Sequence, residues 1–152
     1  MKQAILGIFT IIVFAGLGVA NAQTFAFEGT SSEPTRVGGI GPDHADYDAS
    51  YWSGVTNVVV ANGEKFKSAF TCISMEQPPS ANIFDSHVAC DSKSANGAFS
   101  GIFGCYPLNQ EKTELSCVGG LSGKAGAYEN RSGAMTIHVK GTVSKGVGQW
   151  FE

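Results

Sequence analysis

The composition and charge of this 152-residue chain limit its range of partners. Its 10 basic and 13 acidic residues give a net charge of −3 at pH 7, and its Lys and Arg residues form no cluster of the kind that follows a phosphate backbone. The sequence therefore predicts no nucleic-acid partner. It also lacks the short motifs of serine hydrolases, nucleotide-binding loops, zinc proteases and thioredoxin-like enzymes, so none of these activities is favoured.

Residues 1–22 have the features of a secretory signal peptide. A short basic start is followed by an uncharged apolar run over residues 4–20, and Ala20-Asn21-Ala22 supplies the small residues of a cleavage site. An uncleaved anchor is the alternative, but a spanning helix needs about 20 apolar residues and no basic cluster follows this shorter run. We expect cleavage after Ala22, one mature domain over residues 23–152 with no membrane span, and a secreted or periplasmic location.

From Gln23 onward the pattern is all-β, because short alternating or apolar segments recur between Gly, Asn, Ser and Pro clusters. Asn62-Gly63 predicts a tight hairpin with a type I′ turn. The two prolines of residues 77–80 predict a loop, and residues 31–48 predict a long irregular one. The predicted strands begin at Thr24, Gly54, Phe66, Asn82, Gly97, Thr113, Gly133 and Gly146.

Four cysteines predict two disulfides, since an even number in an exported chain is typical of an oxidising compartment. Their separations of 18, 15 and 12 positions are too long for the closely spaced ligand pairs of structural zinc sites. Cys105 and Cys117 lie on the more apolar faces of two adjacent predicted strands. Of the three possible connectivities we therefore expect Cys105–Cys117, which leaves Cys72 with Cys90.

The segment from Gly120 to Trp150 contains seven glycines, which would each cost a helix about 1 kcal/mol relative to Ala. Within it, Met135, Ile137 and Val139 alternate on one strand face. Such a pattern predicts glycine-kinked strands that close a small β-barrel, rather than a flexible tail.

At Ser122-Gly123-Lys124, Gly126, Tyr128 and Gly133-Ala134-Met135-Thr136 the chain resembles the allene oxide cyclase and dirigent-like barrels. Their late strands carry a glycine-rich turn with an aromatic residue, followed by a strand of small residues. Here Ala125 stands where the aromatic residue usually falls, and Tyr128 follows later. The resemblance implies an antiparallel eight-stranded barrel with an apolar cavity, often dimeric or trimeric, but it carries over no catalytic residue.

Four residues are candidates for a site. Glu76 ends a predicted strand on the Phe70 face, where a partly buried carboxylate could act as a general acid; the alternative is a rim residue in water. His44 lies in an acidic loop and could be an acid or base if that loop covers the barrel mouth; the alternative is a solvated loop. Arg36 could meet an anionic ligand or be solvated, and Tyr128 is a candidate ligand contact.

Three functions stay open at this point. The first is a barrel that binds a small apolar molecule in its cavity. The second, implied by the resemblance, is a cofactor-free cyclase or isomerase. The third is an envelope or surface interaction protein with a filled core. The sequence predicts no metal and no cofactor, and it is compatible with a homo-oligomer.

If the signal peptide is removed as predicted, the exported protein begins at Gln23. The intact mass of protein recovered from the periplasm or the medium should then correspond to residues 23–152, because signal peptidase cleaves after small residues such as Ala20 and Ala22. A mass that includes residues 1–22 would contradict this prediction and favour the membrane anchor.

Overall fold

The computed structural model describes residues 22–39, 48–76 and 83–151, and the regular structure in these ranges is entirely β-strand. The all-β prediction is therefore confirmed. The nine strands in the described ranges are β1 (Gln23–Ser31), β2 (Thr35–Gly38), β3 (Asp48–Val60), β4 (Lys65–Glu76), β5 (Ser86–Ser94), β6 (Gly97–Pro107), β7 (Glu114–Gly126), β8 (Ser132–Lys140) and β9 (Val143–Trp150).

Strands β1 and β3–β9 form a closed antiparallel barrel of eight strands, as the fold prediction requires. Each of β3–β9 pairs with its neighbour in sequence, and β1 closes the wall by pairing with both β9 and β3. β2 extends the wall beside the start of β3, where Thr35 opposes Tyr51. A path can be traced around the barrel by stepping from each inward residue to the residue directly opposite it on the next strand. The path that starts at Ser50 of β3 returns to β3 at Val60, ten residues further along the strand. This stagger tilts the strands of a narrow barrel.

Several boundaries differ from the sequence prediction. The strand predicted from Asn82 begins at Ser86 and continues to Ser94, and the predicted loop over residues 31–48 contains β2. Four exposed residues without alternation give β2 no sequence signal. The proline-containing loop of residues 77–80 lies outside the described residues.

The hairpin at Asn62-Gly63 is present, but its turn is not type I′, which requires positive φ at both central residues. Gly63 has a φ of 87°, whereas Asn62 is not among the described residues with positive φ. The N–H of Gly63 donates to the Val60 carbonyl at 2.8 Å, and the N–H of Glu64 donates to Asn62 Oδ1 at 2.9 Å. This side-chain bond supports a wider loop between Val60 and Lys65.

Six of the inward aromatic rings each lie directly opposite a glycine on a neighbouring strand. Phe25 opposes Gly148 and Phe27 opposes Gly146, and a Cβ placed on these glycines would lie 2.5 Å and 2.8 Å from the nearest atom of the respective ring. In small barrels large and small inward side chains often alternate so that they fit the limited interior. The same pairing joins Phe70 to Gly54, Phe99 to Gly123, Phe103 to Gly119 and Trp150 to Gly133.

Both predicted disulfides are present with the predicted connectivity. Cys72–Cys90 links β4 to β5, and Cys105–Cys117 links β6 to β7, each between directly opposed residues. The cysteines point into the barrel, where Cys105 is only 1% exposed. By closing short loops, each bridge stabilises the fold by about 3 kcal/mol in the chain-entropy estimate.

Substitution of Gly101 tests whether the barrel interior has room for a side chain at an inward glycine. A Cβ there would lie 2.7 Å from Cε2 of Phe103, with only side-chain atoms among its nearest neighbours. We expect Gly101→Ala to lower the free energy of unfolding by about 1–3 kcal/mol because it overpacks the lumen, and we expect the added Phe103→Leu substitution to restore part of this loss. Denaturant unfolding measures both effects.

Gly120 provides the matched control, because it faces outward and a Cβ there would meet only one atom within 4 Å, the Gly133 carbonyl oxygen at 3.9 Å. Gly120→Ala should leave stability unchanged or raise it by about 0.5–1 kcal/mol. Equal destabilisation by the two alanines would contradict the packing explanation.

Candidate ligand-binding site

One end of the barrel is closed by aromatic rings. Tyr128, in the turn after β7, stacks on Trp150 at the end of β9, with ring centroids 4.9 Å apart and planes at 25°. Phe99 contacts both rings edge-on, at 5.5 Å and 5.4 Å. Arg131 lies 5.8 Å from the Trp150 ring and donates to Gln23 Oε1 at 3.1 Å. We call this the aromatic end, defined by Phe99, Tyr128 and Trp150.

The opposite end presents hydroxyl groups on the inward face. We call it the serine end, defined by the inward serines near the ends of five strands. On one side of it, Arg36 of β2 donates to Asp48 Oδ2 at 3.0 Å. Asp48 is only 6% exposed, whereas Arg36 is 70% exposed. The guanidinium neutralises the Asp48 carboxylate, whose burial without a counter-ion would be strongly destabilising. The serines are Ser31, Ser50, Ser74, Ser86 and Ser144.

Three of the four sequence candidates lie in the described part of the chain, two at the serine end and one at the aromatic end. Arg36 opposes Ser50 and shares its inward face, and Ala49 opposes Met75, so the backbone of Glu76 lies one residue further, also at the serine end. The side chain of Glu76 is not among those described, and His44 lies outside the described residues. Tyr128 lies at the aromatic end, a barrel length away from Arg36.

Apolar side chains line the lumen between the two ends, and several keep accessible surface. Trp52, Phe70, Leu115, Met135 and Ile137 are only partly buried, although all pack against the core. Their strands are hydrogen-bonded on both sides in a closed wall, so the accessible surface of these inward side chains faces the lumen. These inward side chains give the lumen an apolar surface that includes aromatic rings, which is the kind of surface that lines small-molecule sites.

Two grooves formed by described residues lie on the outer wall, which the sequence interpretation did not anticipate. The larger has a volume of about 560 Å³ and includes Ala26, Val59 and Val147. The adjoining one, of about 450 Å³, shares these residues and adds Glu28 and Lys145. The sequence feature that could have revealed these grooves is the alternation of inward and outward residues, because several outward positions of β1, β3 and β9 carry the apolar residues Ala or Val.

The described histidines take part in surface contacts. Nε2 of His138 lies 2.7 Å from Oε1 of Glu114, and His87 meets the edge of the Phe84 ring at 6.0 Å. Among the described side chains, no group of three or more His, Cys, Asp and Glu residues could hold a metal ion. In the same part of the chain there is no helix with the length and hydropathy of a membrane span.

Comparison with protein-family models, with curated proteins and with solved structures gave no match to this chain. The resemblance to allene oxide cyclase and dirigent-like barrels accordingly stays a prediction.

The burial of Tyr128 has a consequence for its ionisation. Burial raises the pKa of Tyr128 above its ordinary value, and a hydrogen bond with Ser94 opposes the shift only in part. The neutral hydroxyl is favoured in the folded state, so the associated stability is present below pH about 10 and is lost as the pH rises through the raised pKa.

We therefore expect Tyr128 to ionise at higher pH than an ordinary tyrosine in an ultraviolet pH titration. Tyr128→Phe should remove this late component, whereas Tyr106→Phe, at a half-exposed position on the outer wall, should retain it. Retention of the late component in Tyr128→Phe would show that another tyrosine is responsible.

Proposed function

We propose that this protein is a secreted or periplasmic binding protein that holds a small apolar molecule in its barrel lumen. The observation that carries the proposal is the accessible surface of inward apolar side chains, above all Trp52, Leu115 and Ile137, in a barrel that aromatic rings close at one end. Barrels of about eight strands are wide enough for side chains to fill or for one small ligand.

Two further features support binding in the lumen. The disulfides tie β4 to β5 and β6 to β7 inside the wall, which keeps the lumen in shape before a ligand arrives and lowers the entropic cost of binding. Disulfides are also typical of proteins in oxidising compartments, which is consistent with export.

The second candidate is a cofactor-free cyclase or isomerase that uses the same lumen to orient its substrate. It is favoured by the family resemblance and by the backbone position of Glu76 at the end of β4, beside the serine end. Glu76→Gln distinguishes the two functions, because a binding protein would keep its ligand affinity and an enzyme would keep affinity while losing turnover.

The binding proposal is tested with protein purified from the periplasm or medium. Native mass spectrometry should detect a copurified small molecule, and the fluorescent probe 1-aminoanthracene should bind to the delipidated protein. We expect Leu115→Trp to weaken probe binding at least about tenfold, because the added ring fills the lumen, at a cost of about 1–3 kcal/mol in stability. Thermal melting establishes that the variant is folded.

Ala26→Trp is the matched control, because Ala26 faces outward in the larger outer groove. It should leave probe binding within about twofold of the wild type. Loss of binding in Ala26→Trp with retention in Leu115→Trp would place the ligand in the outer groove and overturn the proposal. No copurified mass and no probe binding would favour the filled-core interaction protein.

A further inference from the structure

We propose that the ligand is an amphiphile with a neutral hydrogen-bonding head, such as a hydroxyl or carbonyl group, held by the inward serines while its apolar body lies in the lumen. This inference rests on the proposed function and adds the chemical class of the ligand and its orientation. The head contacts the serine end, and the body points toward the aromatic end.

The first observation is the unused hydrogen-bonding capacity of the serine end. The hydroxyls of four half-buried serines make no hydrogen bond within the described part of the chain, although all face inward. Serines deeper in the barrel are different: Ser68 and Ser92 bond to each other at 2.7 Å. Half-buried hydroxyls without a protein partner are available to a ligand or to water. The four are Ser50, Ser74, Ser86 and Ser144.

The second observation is that the buried carboxylate described at the serine end, Asp48, already has a counter-ion in Arg36. The carboxylate of Asp48 is 6% exposed and takes its hydrogen bond from Arg36 at 3.0 Å. An anionic head that recruited Arg36 would leave this carboxylate without its counter-ion, which is costly for a buried charge. A cationic head would have to displace Arg36 in order to pair with Asp48. Neither cost applies to a neutral head.

The third observation fixes the orientation. Ser50 and Ser74 are directly opposed on β3 and β4, and the next inward pair along these strands is Trp52 and Cys72. The hydroxyls of Ser50 and Ser74 therefore lie one inward position from the half-buried indole of Trp52 and from the Cys72–Cys90 disulfide. A ligand whose head bonds to Ser50 or Ser74 places the adjoining part of its body against Trp52.

The test uses four probes of one shape at pH 7: naphthalene, 2-naphthol, 2-naphthoate and 2-naphthylmethylammonium, with affinities from isothermal titration calorimetry. 2-Naphthol should bind about five- to tenfold tighter than naphthalene through one or two hydrogen bonds. Both charged probes should bind more weakly than 2-naphthol. This ranking is measured on the wild-type protein and needs no variant.

Substitution of the opposed serines then locates the head. In Ser50→Ala/Ser74→Ala, the affinity for 2-naphthol should fall to within about twofold of that for naphthalene, and the affinity for naphthalene should not change. Ser122→Ala, at an exposed outward position of β7, is the control and should keep the wild-type ranking. Circular dichroism and thermal melting confirm that each variant is folded.

The outcomes separate the two proposals. If none of the four probes binds, the proposed function fails and this inference fails with it. If naphthalene binds but 2-naphthol has no advantage, or if a charged probe binds tightest, the lumen is a ligand site and the inference about the head is wrong. The inference is also wrong if the double alanine variant retains the preference for 2-naphthol.

Discussion

The structure depends on the pairing of large inward rings with glycines directly opposite them. In small barrels large and small inward side chains often alternate to fit the limited interior, and here six inward rings each have a glycine as one neighbour across the ladder. Phe25 with Gly148 and Phe27 with Gly146 show this most clearly, because these pairs close the barrel between its first and last strands. The disulfide between Cys72 and Cys90 is another compact link across the ladder, between β4 and β5.

The same constraint produces the two unlike ends of the barrel. At the aromatic end, Trp150 opposes Gly133 and Phe99 opposes Gly123; Trp150 stacks on Tyr128, and Phe99 contacts Tyr128 edge-on. At the serine end, five of the strands instead carry an inward serine. Half-buried apolar side chains such as Leu115 and Ile137 lie between these two environments. The inward surface thus changes from aromatic at one end of the barrel to hydroxyl-bearing at the other, which is the arrangement that an amphiphile with an apolar body and a polar head would fit.

Local patterns in the sequence predicted the eight strands of the barrel wall and the cysteine pairing, but not β2 or every strand boundary. Alternation placed Cys105 and Cys117 on apolar faces of one hairpin, and the observed bridges confirm both pairs. The pairing of Phe25 with Gly148 could not be predicted, because it depends on register between strands more than 100 residues apart. Nor could the position of Tyr128, a turn residue whose ring folds back over the barrel end. Of the site candidates, Arg36 has a structural partner in Asp48, a residue that the sequence interpretation had assigned only to an acidic loop.

The described inward residues differ in how well they suit acid–base chemistry and ligand binding. General acid–base catalysis needs a titratable group that can exchange a proton with a ligand near the working pH. Among the described inward residues, Tyr128 has a raised pKa because it is buried, which makes its hydroxyl a poorer proton donor at neutral pH, and Asp48 is engaged by Arg36. Serine hydroxyls without a neighbouring base position a ligand but do not move its protons. A catalytic role would therefore depend on Glu76, whereas binding requires only the lumen and the hydroxyls that the described residues already supply.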